Sequence, residues 1–197
     1  MSKTNVVVAK ASVSKTISAC DSEKTAHRSP MQNHFELFQL PVHYEVNRDA
    51  LDTAYREIQS RVHPDKFVQA SDAEKRVAMQ WATQANEAYQ TLKDPLKRAT
   101  YLCQLNGVEL QTESNTSMPA AFLMQQMEWR EAFDEARQSN DSAALFALER
   151  EVQNALKHEL AKTAAALANQ EYSQAAQQIR ASLFLEKFLN DIAALDD

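Results

Sequence analysis

From Asn33 onward the apolar residues recur three and four positions apart, the spacing of helices that each bury one face. Phe35, Phe38 and Leu40 form a short stripe that Pro41 ends, because proline has no amide hydrogen with which to continue a helix. Asn47 stands where a side-chain oxygen can cap a second helix. The buried face of that helix is predicted to carry Leu51, Ala54 or Tyr55, Ile58 and Val62, and the helix stops before Pro64. Ser71-Asp72-Ala73-Glu74 has capping-box spacing and opens a third helix. Its predicted buried face holds Val77, Trp81 or Ala82, Ala85, Ala88 or Tyr89, and Leu92. Asp94-Pro95, a cap followed by proline at the first helical position, begins a short fourth helix to about Leu105.

Residues 106–118 are polar, contain Gly107, and read as a linker. A second unit starts at Pro119 and is predicted to hold three long helices, 119–138, 142–168 and 173–194. Short connections make neighbouring helices antiparallel, which gives a three-helix bundle. Its first helix has two apolar faces. Phe122, Trp129, Phe133 and Ala136 share one, while Leu123, Met124 and Met127 lie roughly opposite. One face suffices for a core. The second is flanked by Glu128, Glu131 and Glu135 and is expected to be an exposed docking surface, for which pliable methionines are well suited. The alternative is burial of both stripes between the other bundle helices and the first unit.

Composition narrows the class. A single glycine and abundant Ala, Gln, Glu, Leu and Lys leave little from which to build hairpins or phosphate-cradling loops, so the chain is expected to be all-α. Two cysteines, Cys20 and Cys103, form neither a disulfide framework nor a paired metal site, and a reducing compartment fits them best. His27, His34, His43 and His158 have no ligand partners at useful spacing, so no metal is assigned. The net charge of −6 disfavours nucleic acid as the main partner, and no apolar run approaches membrane-spanning length. Residues 1–32, rich in Ser, Thr, Lys and Val without a helical stripe, are expected to be a disordered tail. Val6-Val7-Val8-Ala9 is too short for a signal-peptide core, and Met31 offers an alternative start.

The motif that bears on function is His63-Pro64-Asp65, followed by Lys66, in the loop between the second and third helices. Proline fixes the chain direction while an imidazole and a carboxylate stand on a turn, an arrangement better placed for docking than for catalysis. No activated nucleophile accompanies them. The surrounding sequence resembles the J domain, the module that stimulates ATP hydrolysis by heat-shock-seventy-type chaperones. The resemblance rests on Phe35-x-x-Phe38-x-Leu40-Pro41, Ala54-Tyr55-Arg56 leading to His63-Pro64-Asp65-Lys66, Asn86-Glu87-Ala88-Tyr89-x-x-Leu92, and Asp94-Pro95-Leu96-Lys97-Arg98-Ala99-x-Tyr101-Leu102. It implies a helical hairpin with two short flanking helices over residues 33–105. It also implies that His63, Pro64 and Asp65 contact the chaperone, with Arg56, Arg61 and Lys66 as electrostatic support. Glu57 departs from the pattern, since that position is commonly basic, and the interruption points to a specialised chaperone partner.

The bundle carries a second resemblance. Ala121-Phe122-Leu123-Met124-x-Gln126-Met127-Glu128-x-Arg130-Glu131, with the compact J domain and no Gly/Phe-rich linker, is similar to the HscB family. That resemblance implies a bundle over residues 119–197 that holds an IscU-type iron-sulfur scaffold protein through Leu123, Met124, Met127, Glu128, Glu131 and Glu135. Phe184 joins from the last helix, beside the Leu185, Phe188, Leu189 and Ile192 stripe. It further implies a non-enzymatic co-chaperone without a cofactor, delivering the scaffold to a dedicated HscA-type ATPase chaperone. The cysteine-bearing module of eukaryotic relatives is not matched, because only Cys20 precedes the J domain, and this favours the bacterial cytoplasm over the mitochondrial matrix. Cys103 reads as a small buried hydrophobe. Two other readings stand beside this one: a J protein for a different client, and a small helical enzyme using His63 and Asp65.

Overall fold

The computed structural model describes residues 33–110 and 118–195. The expected tail over 1–32, the alternative start at Met31 and most of the linker lie outside the described residues. Among the described residues seven α-helices follow one another: α1 (His34–Leu37), α2 (Arg48–Val62), α3 (Asp72–Lys93), α4 (Pro95–Leu105), α5 (Ala120–Ser139), α6 (Ser142–Ala168) and α7 (Tyr172–Ala193). A 3-10 turn, Pro64–Phe67, joins α2 to α3, and no strand occurs among the described residues.

The helix starts are set by local chemistry. Asn47 Oδ1 accepts from the Ala50 amide at 3.1 Å, and Ser71 and Glu74 form the expected reciprocal capping box. Asp94 Oδ1 accepts from the amides of Leu96 and Lys97 at 2.8 and 2.9 Å, with Pro95 just inside the helix. Asp141 does the same for Ala143 and Ala144 at the start of α6. Each cap satisfies amides that have no partner inside the helix, a contribution of about 1 kcal/mol. Asn140 and Gln170 take left-handed backbone angles at the two bundle turns, which reverse the chain between α5, α6 and α7.

In the first half, α2 and α3 pair as an antiparallel hairpin, and α1 and α4 cover it. Phe35, Phe38, Leu51, Ala85, Ala88, Leu92, Leu96 and Ala99 are buried there, while Ala54, Tyr55 and Ile58 pack half-buried against them. The expectation for α3 needs one correction. Val77 is 52% exposed and Trp81 is 42% exposed, and the buried positions of the first turns are Ala78 with half-buried Ala82. Apolar periodicity could not separate neighbouring wheel positions. Small alanines face the core and leave Val77 and Trp81 at the surface.

The second half places the aromatic face of α5 against α6 and α7. Trp129, Leu148, Val152, Leu185, Phe188 and Ile192 form its core, with Phe122, Phe133, Phe184 and Leu189 at the margin. Phe133 meets Phe188 edge to face at 5.6 Å between centroids. Ala166 and Leu167 of α6 and Ala175 and Ile179 of α7 belong instead to the core of the first half, together with Leu102 and Cys103 of α4. One apolar cluster thus runs from the hairpin into the bundle. Burial of Cys103 pushes its thiol pKa up to about 11, so it packs as an unreactive small hydrophobe.

Candidate functional site

Two surfaces gather the residues singled out by sequence. The first is the turn after α2. His63 ends α2 and caps the 3-10 turn, with its Nδ1 accepting from the Asp65 amide at 3.3 Å. The same Nδ1 lies 3.6 Å from Asp65 Oδ2. One nitrogen cannot accept from an amide and donate to a carboxylate at once. With Nδ1 taken up by the amide, Nε2 is the ring nitrogen left for a partner. Both side chains are exposed, and Asp65 is the more so.

The turn is held by the hairpin behind it. Asn86 Oδ1 accepts from the Tyr55 hydroxyl and, at 2.9 Å, from Gln59 Nε2, while the Tyr89 hydroxyl donates to Asp52 Oδ1 at 2.9 Å. The rings of Tyr55 and Tyr89 stack at 4.1 Å. These contacts fix α2 against α3 and so fix where the turn points. Arg56, Arg61 and Lys66 are exposed. Glu57 pairs with Arg61 at 3.8 Å, so the residue that interrupts the basic stripe also partly neutralises it. A pair this exposed contributes little stability, on the order of 0–1 kcal/mol.

The second surface lies on α5. Met124 and Met127 are 64% and 62% exposed, Leu123 is half-buried, and Glu128, Glu131 and Glu135 are exposed around them. Burial of both stripes is thereby excluded: only the Phe122 and Trp129 face enters the core. Phe184 of α7 is half-buried, stacked on Phe188 at 5.9 Å and edge-on to Phe122 at 6.1 Å. Residues 33–101 match the family described as the DnaJ domain, and residues 118–193 match the HSCB C-terminal oligomerisation domain. Curated co-chaperone HscB homologues are similar along nearly their whole length. One from Ralstonia nicotianae is 52% identical, over 86% of this chain and 97% of its own, and one from Burkholderia mallei is 51% identical over 82% and 93%. The chain belongs to the HscB family of J-domain co-chaperones.

Solved HscB structures agree in shape. Chaperone HscB from Vibrio cholerae has a TM-score of 0.74 at 40% identity, covering 84% of this chain and 98% of its own. Human co-chaperone HscB reaches 0.80 at 28% identity, covering 85% and 83%. HscB membership carries a role in iron-sulfur cluster assembly as a J-domain co-chaperone. No helix among the described residues is long and apolar enough to cross a membrane. Two supporting residues were not assigned from sequence. Gln59 joins the Asn86 clamp, and Arg130 lies over the Phe184 ring at 5.7 Å, where it can hold that ring in place. Their partners are distant in sequence, so no spacing pattern announces either contact.

Proposed function

We propose that this HscB-family chain captures an IscU-type iron-sulfur scaffold protein on the exposed face of α5 and presents it to an HscA-type ATPase chaperone, which the His63-Pro64-Asp65 turn docks on and stimulates. The observation that carries the reading is the pair of Met124 and Met127, left exposed on a helix whose other face already fills the core, with the exposed carboxylates of Glu128 and Glu131 within about one turn of Met127. An apolar centre that excludes water, with a charged rim, is how a specific protein partner is held. Leu123 and Phe184 extend the centre, and Glu128, Glu131 and Glu135 supply the rim. On the other surface, His63 and Asp65 offer a ring N–H and a carboxylate, and Arg56, Arg61 and Lys66 steer the encounter with an acidic chaperone face. The co-chaperone breaks no bond itself. It shifts a two-state ATPase by binding its states unequally. A bacterial cytoplasmic setting agrees with the bacterial relatives.

The deciding experiment measures ATPase stimulation of the cognate chaperone with and without scaffold. Asp65→Asn is expected to lose all stimulation while keeping its fold and its scaffold affinity. A Leu123→Ala, Met124→Ala, Met127→Ala variant is expected to lose only the scaffold-dependent part. If the triple variant behaves like the intact protein, the α5 face is not the client surface. If Asp65→Asn still stimulates, the turn is not the chaperone contact.

A further inference from the structure

The core-facing stripe of α3 runs further than its cover. Ala85, Ala88 and Leu92 are buried, and α1 lies over this stretch with His34 beside Glu87. Trp81 stands within about 40° of Ala85 on the helix wheel. It is nevertheless half-exposed, whereas the chain's other tryptophan, Trp129, is buried. Val77, one turn before Trp81 on the same side, is exposed too, and so is Val68 at 63% just after the 3-10 turn. An exposed tryptophan with two valines is more apolar surface than a solvated helix face requires.

Position along the hairpin says what meets it. The bonds from Tyr89 to Asp52 and from Tyr55 and Gln59 to Asn86 set the antiparallel register of α2 and α3. Continued by one to two turns, that register brings Trp81 level with Arg61 and Val62, roughly one helical turn from His63, and brings Val77 level with the Pro64–Phe67 turn. The opposite end of α3, at Leu92, enters the core shared with the bundle, roughly 16 Å from Trp81 along the axis. The apolar group therefore adjoins the docking turn and stands well away from the junction with the bundle. We propose that Trp81, Val77 and Val68 form an apolar margin of the chaperone-docking face, seated against the same heat-shock-seventy-type ATPase that takes the His63-Pro64-Asp65 turn. The inference rests on the reading of that turn as the chaperone contact. Charge around the turn sets the encounter, and burial of the indole adds the slow dissociation that charges in water supply poorly.

The test titrates stimulation of the cognate chaperone's ATPase with the intact protein, Trp81→Ala, Trp81→Phe and Asp65→Asn, and follows self-association of each by sedimentation. Trp81→Ala is expected to raise the concentration for half-maximal stimulation about tenfold with the maximal rate unchanged, and Trp81→Phe to recover most of it. A full response from Trp81→Ala beside a dead Asp65→Asn overturns the inference and leaves the function standing. Should Trp81→Ala dissolve a dimer of the intact protein while stimulation holds, a second copy covers the face and the proposal fails. Normal stimulation by Asp65→Asn would remove the reading on which it rests.

Discussion

The His63-Pro64-Asp65 turn and the α5 face achieve exposure in opposite ways. The turn is a short irregular segment whose position depends on everything behind it: the caps at Asn47 and Ser71, the Tyr55, Gln59 and Asn86 clamp, and the stacked Tyr55 and Tyr89 rings. The α5 face is the spare side of a regular helix, and its core side, Phe122, Trp129 and Phe133, would be needed in any case. A turn can aim a few polar atoms at one point on a partner, whereas a helix face offers area and adapts through its methionines. The difference suits the two tasks proposed for them, triggering an ATPase and holding a client. The two surfaces are linked through α6 and α7, because Leu167, Ala175 and Ile179 lie in the same cluster as Leu92 and Leu102 of the first half while Leu148, Val152 and Leu185 of the same two helices carry α5.

That link gives the largest expected effect. Ile179→Ala removes a fully buried side chain at the shared core and should cost about 2–5 kcal/mol, read as the shift of a denaturant or thermal melt. One cooperative transition is expected, followed alike by probes in the hairpin and in the bundle. Two separated transitions would mean that the halves stand on independent cores.

A smaller effect separates the surfaces by charge. Replacing Glu128, Glu131 and Glu135 by Gln should slow scaffold association by up to about tenfold at low salt and have little effect in high salt, leaving ATPase stimulation without scaffold unchanged. Stopped-flow association across a salt series checks this, and an effect that ignores salt would count against a steering role.

The smallest concerns Glu186 on α7. Burial raises its carboxyl pKa, the charge of Asp94 raises it further, and Lys97 pulls it back. A carboxyl whose folded pKa lies above its unfolded value favours folding most below the unfolded value, and this contribution is lost as pH rises through the folded pKa. At neutral pH the ionised Glu186 is therefore mildly unfavourable. Glu186→Gln should raise the melting temperature slightly at pH 7, with the gain fading as pH falls toward 4.5. A gain that persists at low pH would trace to packing and not to ionisation.

The fold was legible because its determinants are local. Asn47, Ser71 with Glu74, and Asp94 with Pro95 act within one turn of themselves, so helix starts can be read residue by residue. His63-Pro64-Asp65 was legible for the same reason, since a loop motif needs no distant partner to be noticed. The α5 face was visible as an excess: two apolar stripes where a core needs one. Val77 was misplaced, and Trp81 or Ala82 was left open until Ala82 proved the half-buried one, because which neighbouring wheel position is covered depends on what packs over α3, which no periodicity within α3 encodes.

By itself the sequence determined an all-α chain, the helix boundaries, the His63-Pro64-Asp65 motif and the second face of α5, because hydrogen-bond caps and amphipathic periodicity are short-range properties. Only the tertiary structure decided that the hairpin and the bundle share a core, that Arg130 lies over Phe184, and that Trp81 is left uncovered beside the turn. Those outcomes depend on which surfaces meet across the folded chain and how far each helix extends over its neighbour.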